Sequence, residues 1–209
     1  LEIIECAGEV DALITEAQLI KQKQPSLNRR LRRKQALFSW CLGLNEQGFA
    51  VLELVDTLAI TLDGTAQYFG LWHSRSEAKK QLKAWVESST LCGQILGVET
   101  STAGQPCFRQ QIKQCAGACV GAVSIEAHHA ELLRVLRPQA LATWPMAGVA
   151  VMVEGNKWHV LDDWRYLGTV TDVDAVAKVL AQPRPAFDKD IYQILYKHRS
   201  LLHPLEKMM

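Results

Sequence analysis

The sequence predicts a mixed fold of the α/β class, in its α+β form, and three observations carry that expectation. Apolar residues recur at helical spacing in separate stretches, as at Val10, Leu13, Ile14 and Ala17. Between such stretches lie short runs of β-branched and aromatic residues punctuated by Asn-Glu-Gln-Gly, Asp-Gly and Glu-Gly-Asn. One segment, 91–123, is rich in glycine, glutamine and cysteine and follows neither pattern. With 209 residues, 48% of them hydrophobic, the chain is long enough to bury one or two cores.

Residues 1–6 read as a buried strand already under way at Leu1, so the chain is expected to be a piece of a longer product. The helix that follows carries Glu9 and Asp11 in its first turn, where carboxylates suit the helix dipole, and closes at Pro25. The stretch 36–55, broken by Asn45-Glu46-Gln47-Gly48, predicts a hairpin, and 58–72, with Asp63-Gly64 as its turn, predicts a second. Ser74 and Glu77 have the spacing of a capping box for a helix with Ala78, Leu82, Trp85 and Val86 on one side. Ile125, His129, Leu132, Leu133 and Leu136 mark a further helix ended by Pro138, the expected domain junction. Beyond it, 146–153 and 157–161 predict a strand pair around Glu154-Gly155-Asn156, and 164–170 another strand. Thr171 and Asp174 are expected to open a helix using Val173, Val176, Ala177 and Leu180, and 187–202 to be partly helical. The expected divisions are 1–35, 36–137 and 138–209. No run reaches the ~18 apolar residues that cross a bilayer, and no leader pattern opens the chain, so no membrane partner and a cytoplasmic location are expected.

The net charge of +1 argues against a generally basic nucleic-acid coat, but the charge is unevenly placed. No acidic residue occurs between Ala17 and Asn45, whereas Lys21, Lys23, Arg29, Arg30, Arg32, Arg33 and Lys34 crowd together. Such a block is either a solvated face or a phosphate-binding one, and its arginines suit bidentate contact with phosphate oxygens. Just ahead of it, Glu16 projects about 60° from Leu13, at the border of the apolar stripe, where a carboxylate can be half buried. A carboxylate able to hold a metal, beside concentrated phosphate-binding charge, is what a nuclease needs.

Cys92, Cys107, Cys115 and Cys119 all lie in the irregular segment, the last three spaced C-x7-C-x3-C. Disulfides are not expected in a cytoplasmic protein, which leaves inert thiols, a structural zinc or an iron–sulfur cluster. Paired CxxC knuckles are absent, and spacing alone does not separate the two metals. His128 and His129 read as packing residues, with His129 on the apolar face of its helix. Cys6 and Cys41 read as small core residues, and Trp144, Trp158 and Trp164 as core rather than as a base-stacking platform.

Over almost its whole length the chain resembles the UvrC-type excinucleases, a family of GIY-YIG nucleases, and within it the shorter Cho branch. CAGEVDALITEAQLIKQKQPSLNRRLRRKQAL is similar to the end of the GIY-YIG domain, and QYFGLWHSRSEAKKQLKAW to the family's YFG segment and following helix. PCFRQQIKQCAGACVG is similar to its cysteine region, and GVAVMVEG, WHVLDDWRYLG and FDKDIYQILYK to the Cho tail. The resemblance implies the C-terminal part of a GIY-YIG domain, then a small hairpin and helix region with a cysteine loop, then a small mixed α/β tail. It implies a DNA endonuclease of bacterial nucleotide excision repair that makes the 3′ incision in damaged double-stranded DNA. Its implied partners are the excinuclease B subunit (UvrB) and the A subunit (UvrA) that loads it. On the same grounds Glu16 is expected to bind the single catalytic divalent ion, Mg2+ or Mn2+, and Asn28 to belong to the active site. The four cysteines are expected to hold a [4Fe-4S] cluster of structural or redox-sensing role, with Zn2+ as the alternative.

The departures matter as much. The family's GIY and YIG strands and catalytic arginine precede the glutamate, whereas Tyr68-Phe69-Gly70 and Tyr166-Leu167-Gly168 follow it. The N-terminal part of the GIY-YIG domain is thus expected upstream of Leu1, and this chain alone is expected not to cut DNA. There is no room for the helix-hairpin-helix pair and RNase H-like nuclease of longer relatives, so 5′ incision is not expected. The competing reading is a non-catalytic DNA- and partner-binding module stiffened by a metal cluster, its arginines giving salt-dependent affinity.

Overall fold

The computed structural model describes residues 3–23, 37–100, 102 and 104–207. They fall into two compact units, each built on one small antiparallel sheet, so the mixed class expected from the sequence is the class observed. One unit comprises Ala36–Ile60 and Thr65–Leu141; the other comprises Leu1–Gln35, Thr61–Gly64 and Ala142–Met209. No described helix is long and apolar enough to cross a membrane.

In the first unit β1 (Phe38–Leu44) is the central strand, flanked by β2 (Ala50–Asp56) and β3 (Tyr68–Trp72) in the order β2-β1-β3. The expected first hairpin is present, and Asn45 builds its turn: the side-chain oxygen accepts from Gln47 N at 3.1 Å and Phe49 N at 2.9 Å. The expected second hairpin is not. Residues 61–64 belong to the other unit, where Leu62 N donates to the Asp163 carboxylate at 2.6 Å and Leu62 O accepts from Trp144 N. That backbone is therefore committed elsewhere, and β3 pairs with β1 instead. The capping box is reciprocal: Ser74 Oγ accepts from Glu77 N at 3.1 Å while Glu77 accepts from His73 N at 3.0 Å. Helix α2 (Arg75–Glu87) buries the expected Ala78, Leu82, Trp85 and Val86. After a one-turn helix, α3 (Phe108–Gln111), comes α4 (Ile125–Leu136), and both long helices cover a core of Trp40, Phe69, Trp72, Leu132 and Leu136. Each such side chain stabilises by about 1.5–3 kcal/mol on burial. On α4 it is His128 rather than His129 that is buried, because Leu132 and Leu136, spaced by four from His128, set the inward face.

The second unit contains α1 (Glu9–Lys23), β4 (Ala150–Glu154), β5 (Lys157–Asp162), β6 (Arg165–Val170), α5 (Val176–Leu180), α6 (Lys189–Lys197) and β7 (His203–Pro204). Its sheet runs β6-β5-β4-β7. Residues 3–6 form no strand, contrary to the sequence expectation: none of the described strands pairs with them, and Ile3 stays exposed. Helix α5 is shorter than expected because the Asp172 side chain accepts from Ala175 N at 2.9 Å and holds the preceding residues in a turn. The β5–β6 turn places both Asp163 and Trp164 at positive φ, a strained choice for non-glycine residues. Burial of the Trp164 ring against Trp144, at 5.1 Å and edge-on, and its Nε1 bond to Ala142 O at 2.8 Å offset that strain. Trp144 and Trp164 are thus core residues as expected, while Trp158 is half-buried.

His159 on β5 is fully buried, its Nδ1 held 2.7 Å from Thr169 Oγ1, with Asp11 of α1, Glu154 of β4, Lys157 of β5 and Tyr166 of β6 around it. Burial lowers its pKa below the ordinary 6.5; Asp11 and Glu154 oppose this and Lys157 reinforces it. The folded ring is neutral where the unfolded chain already binds a proton, so stability is complete above pH 6.5 and falls as pH drops through that value. The slope is at most about 1.4 kcal/mol per pH unit. Thermal melting from pH 8 to pH 5.5 is expected to show this decline, and His159→Gln to lessen it, the remainder coming from buried His128, whose pKa is also lowered; an unchanged slope in the variant would exclude His159 as a source.

Candidate metal centre

The segment between α2 and α4 is folded around sulfur. Cys92 and Cys107 are fully buried, and the Sγ atoms of Cys92, Cys107 and Cys119 lie within 4.8 Å of one another. Cys115, the fourth expected ligand, packs against the same cluster, but its sulfur is not among the three that lie within that distance. A tetrahedral ion with bonds of about 2.3 Å sets its sulfurs roughly 3.8 Å apart, so these three sulfurs are close enough to ligate one centre.

Backbone geometry explains why the loop can do this. Gly93 O accepts from Val98 N at 2.7 Å and Glu99 N at 3.0 Å, folding 92–99 into a tight turn beside Cys92. Gly117, between Cys115 and Cys119, sits at φ +86, and a Cβ there would lie 2.8 Å from that of Ala122, so only glycine fits. Amides point at the sulfurs: Gly117 N donates to Cys115 Sγ at 3.3 Å, and Cys107 takes a backbone bond from Gln110. Cys92 receives backbone bonds from Ile95, Gln94 and Cys119.

These contacts divide the thiols. Burial pushes Cys107 and Cys115 up, with the neighbouring Cys92 adding to it. Burial acts on Cys92 in the same direction, but its backbone donors and the Cys119 thiol outweigh burial and hold it below the ordinary thiol value. Binding of a metal by these thiols would release their protons. Soft thiolate donors with amide support fit either an iron–sulfur cluster or zinc.

Arg109, which sequence reasoning did not single out, and His128 buttress the cysteine segment. Arg109 is buried, its Nη2 donating to Ser89 O at 2.9 Å and Gln114 O at 2.8 Å, with Glu99 at 4.0 Å from its Nε. It ties the end of α2 to the chain entering Cys115. Its signal was a guanidinium two residues after a cysteine in a loop whose nearest carboxylate is Glu99. His128, read as a packing residue, also accepts from Cys92 N at 3.4 Å and stands edge-on to Phe49 at 5.7 Å. Cys6 and Cys41 lie apart from this cluster and are half-buried.

Glu16 belongs to the other unit. It is exposed rather than half buried, because the inward stripe of α1 runs through Val10, Ile14, Ala17 and Ile20, leaving Leu13 only half-covered and Glu16 beyond it. Among the described residues its carboxylate has no hydrogen-bond or ion-pair partner. Lys21, expected among the phosphate-binding residues, is engaged by Asp188 and lies 3.5 Å from Asp190. Lys23 is exposed. Asn28, Arg29, Arg30, Arg32, Arg33 and Lys34 lie outside the described residues.

Residues 39–138 match the model of the UvrC/Cho excinuclease middle domain, and residues 150–207 that of the Excinuclease Cho C-terminal domain. Excinuclease cho of Salmonella typhi is 36% identical over 195 residues, covering 91% of this chain and 64% of the relative. The Escherichia coli (strain K12) Excinuclease cho is 34% identical over the same shares. UvrABC system protein C of Citrifermentans bemidjiense is 38% identical over 116 residues, 56% of this chain but 18% of that protein. The chain thus spans 64% of the length of the Cho relatives it matches. No solved structure matches it. The cysteine centre falls inside the matched middle domain and the β4–β5 hairpin inside the matched C-terminal domain, and the chain belongs to the UvrC/Cho excinuclease family.

Proposed function

We propose that this chain is part of a DNA endonuclease of nucleotide excision repair that makes the 3′ incision in damaged duplex DNA by metal-dependent phosphodiester hydrolysis. Family membership carries the reading, and the exposed position of the Glu16 carboxylate on α1 is compatible with it. Glu16 would hold Mg2+ or Mn2+, which when bound supplies charge stabilisation at the leaving oxygen. Asn28 completes the same site. Lys21, Lys23, Arg29, Arg30, Arg32, Arg33 and Lys34 neutralise phosphates, although Lys21 is also paired with Asp188. Cys92, Cys107, Cys115 and Cys119 would hold a [4Fe-4S] cluster, or Zn2+, whose role is to stiffen the middle domain. Its partners are damaged double-stranded DNA and the B subunit of the excinuclease, with the A subunit loading it, and it acts in the cytoplasm.

Two measurements on the intact protein test this. A lesion-bearing duplex loaded by the A and B subunits is expected to be nicked on its 3′ side with Mg2+ and left whole with EDTA; cutting that ignores EDTA would refute metal dependence. Replacing Arg29 and Arg30 with alanine is expected to reduce the slope of log affinity against log salt by about 0.9 per lost phosphate contact, roughly 2 in all. An unchanged slope would remove the arginine block from the DNA interface.

A further inference from the structure

Helix α1, which presents Glu16, has its first turn capped by a side chain far away in sequence. Glu154, at the tip of the β4–β5 hairpin, accepts from Val10 N at 3.1 Å and Asp11 N at 2.7 Å. Gly8, just ahead of the helix, makes the approach possible: a Cβ there would stand 2.5 Å from the Glu154 carboxyl carbon. The surroundings fix the cap from behind. Asp11 accepts from Lys157 Nζ at 2.7 Å and Ala7 N at 2.8 Å, and His159 Nε2 lies 3.8 Å from Glu154. Along the helix, Glu9 pairs with Lys197 at 3.1 Å, and Lys21 pairs with Asp188 ahead of α6. A carboxylate shared by two first-turn amides opposes both sliding, at 1.5 Å per residue, and rotation, at 100° per residue, of everything the helix carries.

We propose that Glu154 is a positioning residue for Glu16: the tail hairpin sets the axial and rotational place of the α1 carboxylate. This rests on the metal-ligand role of Glu16 put forward above. The C-terminal domain is then part of the nuclease machinery through α1, although none of its side chains is asked to touch DNA or metal. Gly8 and Glu154 form one device, because the first provides the room that the second occupies.

The test uses the intact protein with the A and B subunits, comparing Glu154→Gln, Gly8→Ala and, as reference, Glu16→Gln. Nicking rate, the Mg2+ concentration for half-maximal nicking, DNA affinity and amide exchange at Val10 and Asp11 are measured. Glu154→Gln and Gly8→Ala are expected to raise the Mg2+ requirement or slow nicking by about 10- to 100-fold, as misplacement of a reacting group by a remote change does. DNA affinity is expected to stay the same and the thermal midpoint to fall by only about 2–4 °C. Faster exchange at Val10 and Asp11 is expected in both variants, with the carboxylate still present in Gly8→Ala. If Glu16→Gln is inactive while both other variants keep wild-type rate and Mg2+ requirement, the positioning role is wrong and the Glu16 reading stands. If Glu16→Gln nicks normally, both fall.

Discussion

Replacing Cys92 with serine is expected to strip the metal from the intact protein and lower the thermal midpoint of the middle domain by ~10 °C or more. Cys92 is fully buried, and it is the cysteine whose sulfur gathers amides from Ile95, Gln94 and Cys119. Serine keeps the volume but supplies a hard, strongly basic alkoxide in place of a soft thiolate. Structural metal sites contribute on the order of 10 kcal/mol to the folding of small domains, and losing even a third of that shifts the midpoint of a chain this size by about 10 °C. Segment 91–123 has little regular structure of its own to fall back on, only the single turn of α3 and a 3-10 turn at Ala118–Val120. Anaerobic purification followed by iron and zinc analysis and visible absorption reads the result. Cys41→Ser, outside the cluster, serves as the control. A Cys92→Ser protein with full metal content and an unchanged midpoint would remove Cys92 from the ligands, and wild-type protein free of iron and zinc would show that the four thiols are inert. Colourless wild-type protein holding zinc would establish zinc over iron.

The second large effect lies in the other unit. Glu16→Gln is expected to reduce nicking by the intact protein by roughly 10³-fold at saturating Mg2+, since metal stabilisation of the transition state supplies several kcal/mol and each 1.36 kcal/mol is tenfold. Glutamine is isosteric and a good helix former, and the exposed position demands no packing, so stability should hold. DNA affinity should also hold, because one carboxylate is lost while the arginine block remains. Single-turnover nicking beside a binding titration separates the two. Retained nicking would end the assignment of Glu16 as the metal ligand.

Local rules were legible where the interaction is local. Ser74 and Glu77 announced their capping box, Asn45 its turn, and the spacing of Ala78, Leu82, Trp85 and Val86 the buried face of α2. The convergence of the cysteines was legible as a question, since thiols collected on a loop ask for something to hold. The Asp63-Gly64 turn failed for a non-local reason: Leu62 spends its backbone on Asp163 and Trp144. Residues 3–6 failed similarly, an apolar run being only a candidate strand until another strand lies beside it.

The sequence by itself determined the fold class, the inner face of α2, the cysteine constellation and, by its motifs, the family. Only the tertiary structure decided that His128 rather than His129 turns inward, that Arg109 ties the cysteine loop, that Lys21 is engaged by Asp188, and that Glu154 caps α1. The division follows range. Helical period and turn chemistry act over a few residues and are written in the order of the chain, whereas Glu154 and Asp11 are 143 positions apart and meet only after the hairpin and helix have packed.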